Sequence, residues 1–218
     1  MNDPYCCPGT RILINHLNIR DKAELAATER AIAAKAILSL RRSPVHGAFD
    51  FDHLKEIHRR IFAKVYPFAG NQRTINMTKA EEKLAGASVE YAPFHLIKIR
   101  AEYHLTDLNS RDWSALKDMP EAADMESFAR RIIYIWQVHP FREGNTRTTM
   151  TFMHQFAEAN AFTLDRRLIR THSDYVRHAL VVGTRGEVHY LSRILVDARQ
   201  RQRATEEAST RTRKEPRR

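Results

Sequence analysis

With 218 residues, 43% of them apolar and 28% charged, the chain can bury one sizeable core, and it has no apolar run near the ~20 residues that span a bilayer. Seven glycines and eight prolines are too few for a turn-rich β fold, and the N-terminus lacks the basic patch and apolar stretch of a secretory signal. The net charge of +10 is uneven: residues 199–218 carry eight Lys or Arg against three Glu and are expected to form a basic, flexible tail.

Cys6 and Cys7 are adjacent, a poor arrangement for an unstrained disulfide, which points to a reducing compartment. Residues 1–20 read as an irregular arm on the core. Asp21 can cap a helix running to about Leu40, which stops before Ser43-Pro44. A second helix starts near Asp50, with Phe51, Leu54, Ile57, Ile61, Phe62 and Val65 forming one buried face. His53 and His58 lie on it and read as surface or packing histidines.

Pro67, Gly70 and Asn71 break that helix. Arg73-Thr74-Ile75-Asn76-Met77 then alternates polar with apolar, the period of a strand, so residues 71–90 are expected to form a small hairpin. A helix follows from about Pro93 to Leu108, and Asn109–Pro120 connects. Glu121–Val138 is the strongest helical pattern: Met125, Phe128, Ala129, Ile132, Ile133, Ile135 and Trp136 cover more than half its circumference, as in a buried central helix. His139-Pro140 ends it. The next helix spans about Asn145–Asn160, and two or three shorter ones fill 165–200. The expected fold is all-α with one hairpin.

The loop between the two central helices, His139-Pro140-Phe141-Arg142-Glu143-Gly144-Asn145-Thr146-Arg147, concentrates the chemistry. His139 can take a proton near neutral pH. A carboxylate such as Glu143 is a usual Mg²⁺ ligand beside phosphates. Gly144 and Asn145 offer backbone N–H groups able to cradle an anion at a helix N-terminus, and Asn145 also suits an N-cap. Arg147, in the first turn, is at the wrong end for the helix dipole unless it holds an anion. Phe141 anchors the loop in the core.

These nine residues resemble the Fic/Doc signature His-x-Phe-x-Asp/Glu-Gly-Asn-Gly-Arg at eight of nine positions. Val65-Tyr66-Pro67-Phe68-Ala69-Gly70 and Arg73-Thr74-Ile75-Asn76-Met77-Thr78-Lys79 resemble the start of the family's flap. The likeness covers about residues 10–197. It implies a compact Fic-type helical domain over 1–198 that transfers AMP from ATP to a protein hydroxyl, with Mg²⁺ as cofactor. His139 is then the base that deprotonates a Ser, Thr or Tyr, and Glu143 holds Mg²⁺. Arg142, Gly144, Asn145, Thr146 and Arg147, with Thr78 and Lys79, bind the nucleotide. Arg73, Thr74, Ile75, Asn76 and Met77 dock a target protein as an added strand.

Two departures stand out: Thr146 where most relatives have glycine, and Met150 where many have a second arginine for the γ-phosphate. The inhibitory run Ser/Thr-x-x-x-Glu-Gly/Asn is absent; Thr78–Lys83 comes nearest and fails at its last position. A separate small antitoxin is one way to supply such a helix. The resemblance suits a toxin or a bacterial effector, cytoplasmic or translocated into a host cell, with no membrane partner. The alternatives are a donor other than ATP, a Fic scaffold without turnover, and a basic nucleic-acid-binding protein.

Overall fold

Two aspartates open the first two helices where their positions predict. In the computed structural model, which describes residues 3–117 and 122–214, Asp21 accepts a 2.8 Å hydrogen bond from the Glu24 N–H and opens α1 (Lys22–Arg42). Asp50 accepts one of 2.9 Å from the His53 N–H and opens α2 (Phe51–Phe62). Each satisfies a donor that a helix start leaves unpaired. The buried stripe of α2 runs through Leu54, Ile57, His58, Ile61 and Phe62, and α2 packs against α1. Val65 is buried in the turn beyond the helix rather than inside it.

The remaining helices are α3 (Ile97–Asn109), α4 (Ala122–Val138), α5 (Asn145–Ala159), α6 (Arg166–Thr171), α7 (Ser173–Gly183) and α8 (His189–Lys214). Predictions touching Asp118, Pro120, Glu121 and residues 215–218 lie outside the described residues.

The described residues divide into two compact units. One draws on Met1–Asn76, Ala92–Leu105 and Val138–Phe152, the other on Met77–Tyr91, Thr106–Gln137 and Met153–Arg218. In the first, α1 and α2 support the loop between α4 and α5. Its N-terminal arm folds back on itself through an antiparallel bridge between Cys6 and Leu13. The arm is tied to the core by the His16 N–H on the Val65 carbonyl, 2.9 Å.

In the second unit Phe128 sits edge-on to Trp113 and Phe162, with ring centroids 5.3 Å apart in both pairs. There Glu81 pairs with Arg177 at 2.5 Å and accepts from the Tyr91 hydroxyl at 3.4 Å. The Arg177 guanidinium lies 4.9 Å from the centre of the Trp136 ring.

Two expectations need correction. The hairpin over residues 71–90 does not form: among the described residues there is no strand, and this stretch holds one isolated antiparallel bridge, Ala80 with Ser88. The alternation itself is present, since residues 73, 75 and 77 turn inward while 74, 76 and 78 are exposed. The segment does not build a ladder, because its backbone donors go elsewhere: the Arg73 N–H to the Pro140 carbonyl at 2.8 Å and the Thr74 N–H to the Tyr5 hydroxyl at 2.9 Å. A 3-10 turn at Glu82–Leu84 and left-handed residues at Ala85 and Gly86 then reverse the chain.

The second correction concerns the tail, which does not begin at 199, because α8 continues to Lys214. Arg199 is only 4% exposed and donates to the carbonyls of Leu116 (3.1 Å), Thr163 (3.4 Å) and Lys117, with Glu206 3.4 Å away. It is a strut of the second unit.

Replacing Arg199 with methionine keeps the stem but strands those carbonyls. At ~1–3 kcal/mol for a buried group left unsatisfied, urea denaturation of Arg199→Met should show a loss of about 2–4 kcal/mol. A loss under about 1 kcal/mol would mean that water reaches these carbonyls.

Candidate active site

Pro140 stops α4, because a proline disfavours the helical region for the residue before it. His139 leaves the helix with a left-handed backbone, φ +50°, a conformation that costs an L-residue roughly 1–2 kcal/mol. It is 8% exposed. The loop is closed by Asn145, whose side-chain oxygen accepts from the Phe141 N–H at 2.9 Å while its amide nitrogen donates to the Phe141 carbonyl at 2.7 Å. The Asn145 side chain is thus committed to the loop backbone, and its own residue is the first of α5.

Gly144 caps α5 instead, its carbonyl accepting from both the N–H and the hydroxyl of Thr148 at 3.0 Å. Gly144 has φ +79°, and a Cβ there would lie 2.3 Å from two ring carbons of Phe62, which is fully buried. Only glycine fits both the backbone and the space.

Glu143 sits at the same helix start. Its carboxylate accepts the Gly144 N–H at 2.9 Å and lies 3.6 Å from the Arg147 guanidinium. Thus a carboxylate of the chain itself stands where the dipole favours an anion. Arg147 also pairs with Glu29 of α1, and its guanidinium carbon lies 4.8 Å from the Phe62 ring centre. The second Glu29 oxygen accepts from the Tyr66 hydroxyl at 2.6 Å. Burial and that carboxylate push the Tyr66 phenol far above its ordinary range. The anion that justifies Arg147 in a first turn is therefore, here, Glu29.

Arg142 is held by Asp3 of the N-terminal arm, which accepts from its Nε at 3.0 Å and its Nη2 at 2.6 Å. Burial alone would raise the Asp3 carboxyl, but the Arg142 contact and the Tyr5 N–H outweigh it and hold the acid below its usual range. The same arm reaches the flap segment, where Tyr5 OH accepts from the Thr74 N–H at 2.9 Å.

His58 lies beneath the loop with no exposed surface. Its Nδ1 accepts from the Gly70 N–H at 2.8 Å, so the proton resides on Nε2, which donates to the Glu143 carbonyl at 3.0 Å. The ring stacks on Phe141, with centroids 3.8 Å apart and planes 10° apart. Burial pushes its pKa down to about 4, assisted by the Arg147 charge and opposed by the Glu143 carbonyl, so the imidazole is neutral at physiological pH.

The first unit thus brings together His139, Arg142, Glu143, Gly144, Asn145, Thr146 and Arg147. Met150 lies on the same partly exposed side of α5 as Thr146 and Arg147. Of the flap residues, Thr74 and Asn76 are exposed and Ile75 is half-buried. Arg73 is entirely buried, so its side chain is not available to dock a partner, contrary to the expectation from sequence. Met77, Thr78 and Lys79 belong to the second unit, where the Lys79 N–H donates to the Ser88 hydroxyl at 3.0 Å.

Sequence reasoning missed Asp3, Glu29, His58 and Tyr66 as members of this constellation. Two of them carried a signal. Leu25, Glu29 and Ala33 fall on one α1 face, and Leu54, His58 and Phe62 on one α2 face, so each polar residue interrupts an apolar stripe.

A model of the Fic/DOC family matches residues 48–157, from the turn before α2 into α5 and across the whole loop. The chain belongs to the Fic/DOC family. Protein adenylyltransferase VbhT of Bartonella schoenbuchensis is 34% identical over 169 residues, 75% of this chain and 32% of that protein. The chain therefore spans under a third of that relative's length. The probable protein adenylyltransferase y4lH of Sinorhizobium fredii is 32% identical over 169 residues, covering 76% of this chain and 80% of the relative. Among solved structures, the BepC protein of Bartonella tribocorum, a VirB-translocated Bartonella effector protein with bound AMPPNP, shares the fold. It superposes with a TM-score of 0.69 at 23% identity, over 88% of this chain and 95% of that one.

The Gly144 geometry of this Fic/DOC loop can be tested directly. Gly144→Ala adds ~1–2 kcal/mol of backbone strain and ~1–3 kcal/mol of overpacking against Phe62. A fall in unfolding free energy of about 2–5 kcal/mol is expected. Wild-type stability would show that Phe62 yields freely.

Proposed function

We propose that the chain is a protein adenylyltransferase, transferring AMP from ATP to a Ser, Thr or Tyr hydroxyl of a target protein. The observation that supports the reading is one loop, tied down by Asn145, Gly144 and His58, that carries His139 and Glu143 and leads into the N-terminus of α5. Family membership and relatives named protein adenylyltransferase support it.

In this reading His139 accepts the proton of the target hydroxyl as its oxygen forms a bond to the α-phosphorus. The bond between that phosphorus and the bridging oxygen to the β-phosphate breaks, and pyrophosphate leaves with the electron pair. The N–H groups at the α5 start stabilise charge on the α-phosphoryl oxygens, and Arg147 that on the leaving group. Thr74 and Asn76, exposed on either side of Ile75, would meet the target segment in this reading.

Mg²⁺ fits this site as an ion shared with phosphates. Glu143 is a partly exposed carboxylate at the anion-binding helix end, and among the described residues no three acidic, His or Cys side chains form a cage of their own. Bound there, the ion would neutralise phosphate charge.

The effector role follows the BepC likeness, and no helix among the described residues is long and apolar enough to cross a membrane. A nucleic-acid role draws less support, because Arg199 is buried and Arg203 is paired with Glu207 at 3.1 Å. An antitoxin that works through an inhibitory glutamate lacks the second arginine at 150.

His139→Ala should cut transfer by ~10²–10⁴ while leaving the circular dichroism spectrum unchanged. In a lysate, label should reach protein from α-³²P-ATP, not γ-³²P-ATP, and EDTA should abolish it. Label arriving only from the γ position would replace adenylyl transfer with phosphoryl transfer.

Met150→Arg places a guanidinium three residues beyond Arg147, on the same helix face. The KM for ATP should fall with little change in kcat, because the added contact is uniform between ground and transition states. An unchanged or higher KM would reopen the choice of donor, to be settled with a panel of nucleotides.

A further inference from the structure

Arg73 has no exposed surface, and its donors go to backbone carbonyls of three separate segments. Its Nε donates to the His139 carbonyl at 2.8 Å, and its Nη2 lies 3.5 Å from the carbonyl of Val138, the last residue of α4. Its own backbone N–H donates to the Pro140 carbonyl at 2.8 Å. One residue therefore engages three consecutive carbonyls, those of 138, 139 and 140.

On its other side, Nη1 donates to the Ile75 carbonyl at 2.6 Å and Nη2 to the Ala92 carbonyl at 2.5 Å. Ile75 lies on the outgoing limb of the flap segment and Ala92 just where the chain returns. The guanidinium also faces the negative end of the α4 dipole, where a cation is stabilised. It is a helix C-cap supplied from a different segment.

We propose that Arg73 is a positioning residue for His139. It fixes the peptide planes before and after a histidine whose backbone is left-handed, and so sets the direction in which the imidazole leaves the chain. Through Ile75 and Ala92 it ties that direction to both limbs of the flap segment. The spacing between a docked hydroxyl and the His139 ring is thereby held by one planar, five-donor group. This inference rests on His139 being the base.

Lysine keeps the charge but not the fork, since a single ammonium cannot span carbonyls spread around the edge of the guanidinium plane. In Arg73→Lys, assayed well below its melting temperature, kcat for AMP transfer should fall 10- to 100-fold. The KM for ATP should stay within about twofold of wild type, because the α5 helix start is untouched. A core strut without a positioning role would lower the melting temperature and leave kcat per folded molecule unchanged.

A second readout does not depend on catalysis. The His139 Cα and Cβ chemical shifts report its backbone conformation and should move away from left-handed values in Arg73→Lys; unchanged shifts would overturn the inference whatever the activity. Wild-type kcat in Arg73→Lys, with His139→Ala inactive, overturns the inference and leaves the adenylyltransferase reading standing. Full activity in His139→Ala sinks that reading and the inference with it, since no base is then left for Arg73 to position. Arg73→Gln, which leaves no charge in the core, replaces Arg73→Lys if the latter does not fold. If neither folds while His139→Ala does, Arg73 is a strut and the inference fails.

Discussion

A neutral imidazole held on three sides underlies the organisation of the loop. His58 receives a proton from the Gly70 backbone, gives one to the Glu143 carbonyl and stacks on Phe141. Each contact demands a particular tautomer or ring plane, and together they leave the ring one orientation. Burial suppresses protonation, which would put a second proton on Nδ1 and break the contact with Gly70. The turn after α2 and the loop before α5 therefore keep their spacing across the whole neutral range. Glu143 and Gly144 inherit their placement from a residue 85 positions away that contributes no chemistry of its own.

Around that ring the packing is mostly polar groups matched one to one. Asn145 uses both ends of its amide on Phe141, Gly144 accepts twice from Thr148, and Asp3 takes both forks of Arg142. Loops of this kind are stable only when their backbone groups find partners, since each one left unsatisfied in a buried setting costs about 1–3 kcal/mol. Phe62 supplies the complement from below, as a flat apolar surface that only a glycine at 144 can approach. Rigidity here comes from satisfied polarity laid on one aromatic face.

Much of this was legible in the chain. The cap at Asp21, the helix start near Asp50, the all-helical class, the buried α4 and the loop at 139–147 follow from period and capping chemistry, which act over a few residues. The hairpin was misread because alternation reports which side chains face inward and is silent on whether a neighbouring strand exists. Arg73 falls on the inward parity, yet a charged residue there gives no hint that carbonyls from three segments await it. The tail was misread because composition makes Arg199 look solvated, when its partners at Leu116, Lys117 and Thr163 are brought to it by tertiary structure. Asp3 and Tyr66 likewise meet their partners only through the fold, over separations that no local pattern encodes.

The pairings around the loop have a consequence for its local field. Arg142 and Arg147 face the carboxylates of Asp3, Glu29 and Glu143, and with Arg73 buried against the loop the formal charges sum to zero. A chain with a net charge of +10 thus gives its candidate site no excess of positive charge. A polyphosphate approaching alone finds guanidinium groups already neutralised and a carboxylate at the helix end. On the adenylyltransferase proposal, capture would depend on fixed N–H geometry and far less on bulk electrostatic attraction. Added salt should consequently disturb recognition here less than the isoelectric point of the chain would lead one to expect.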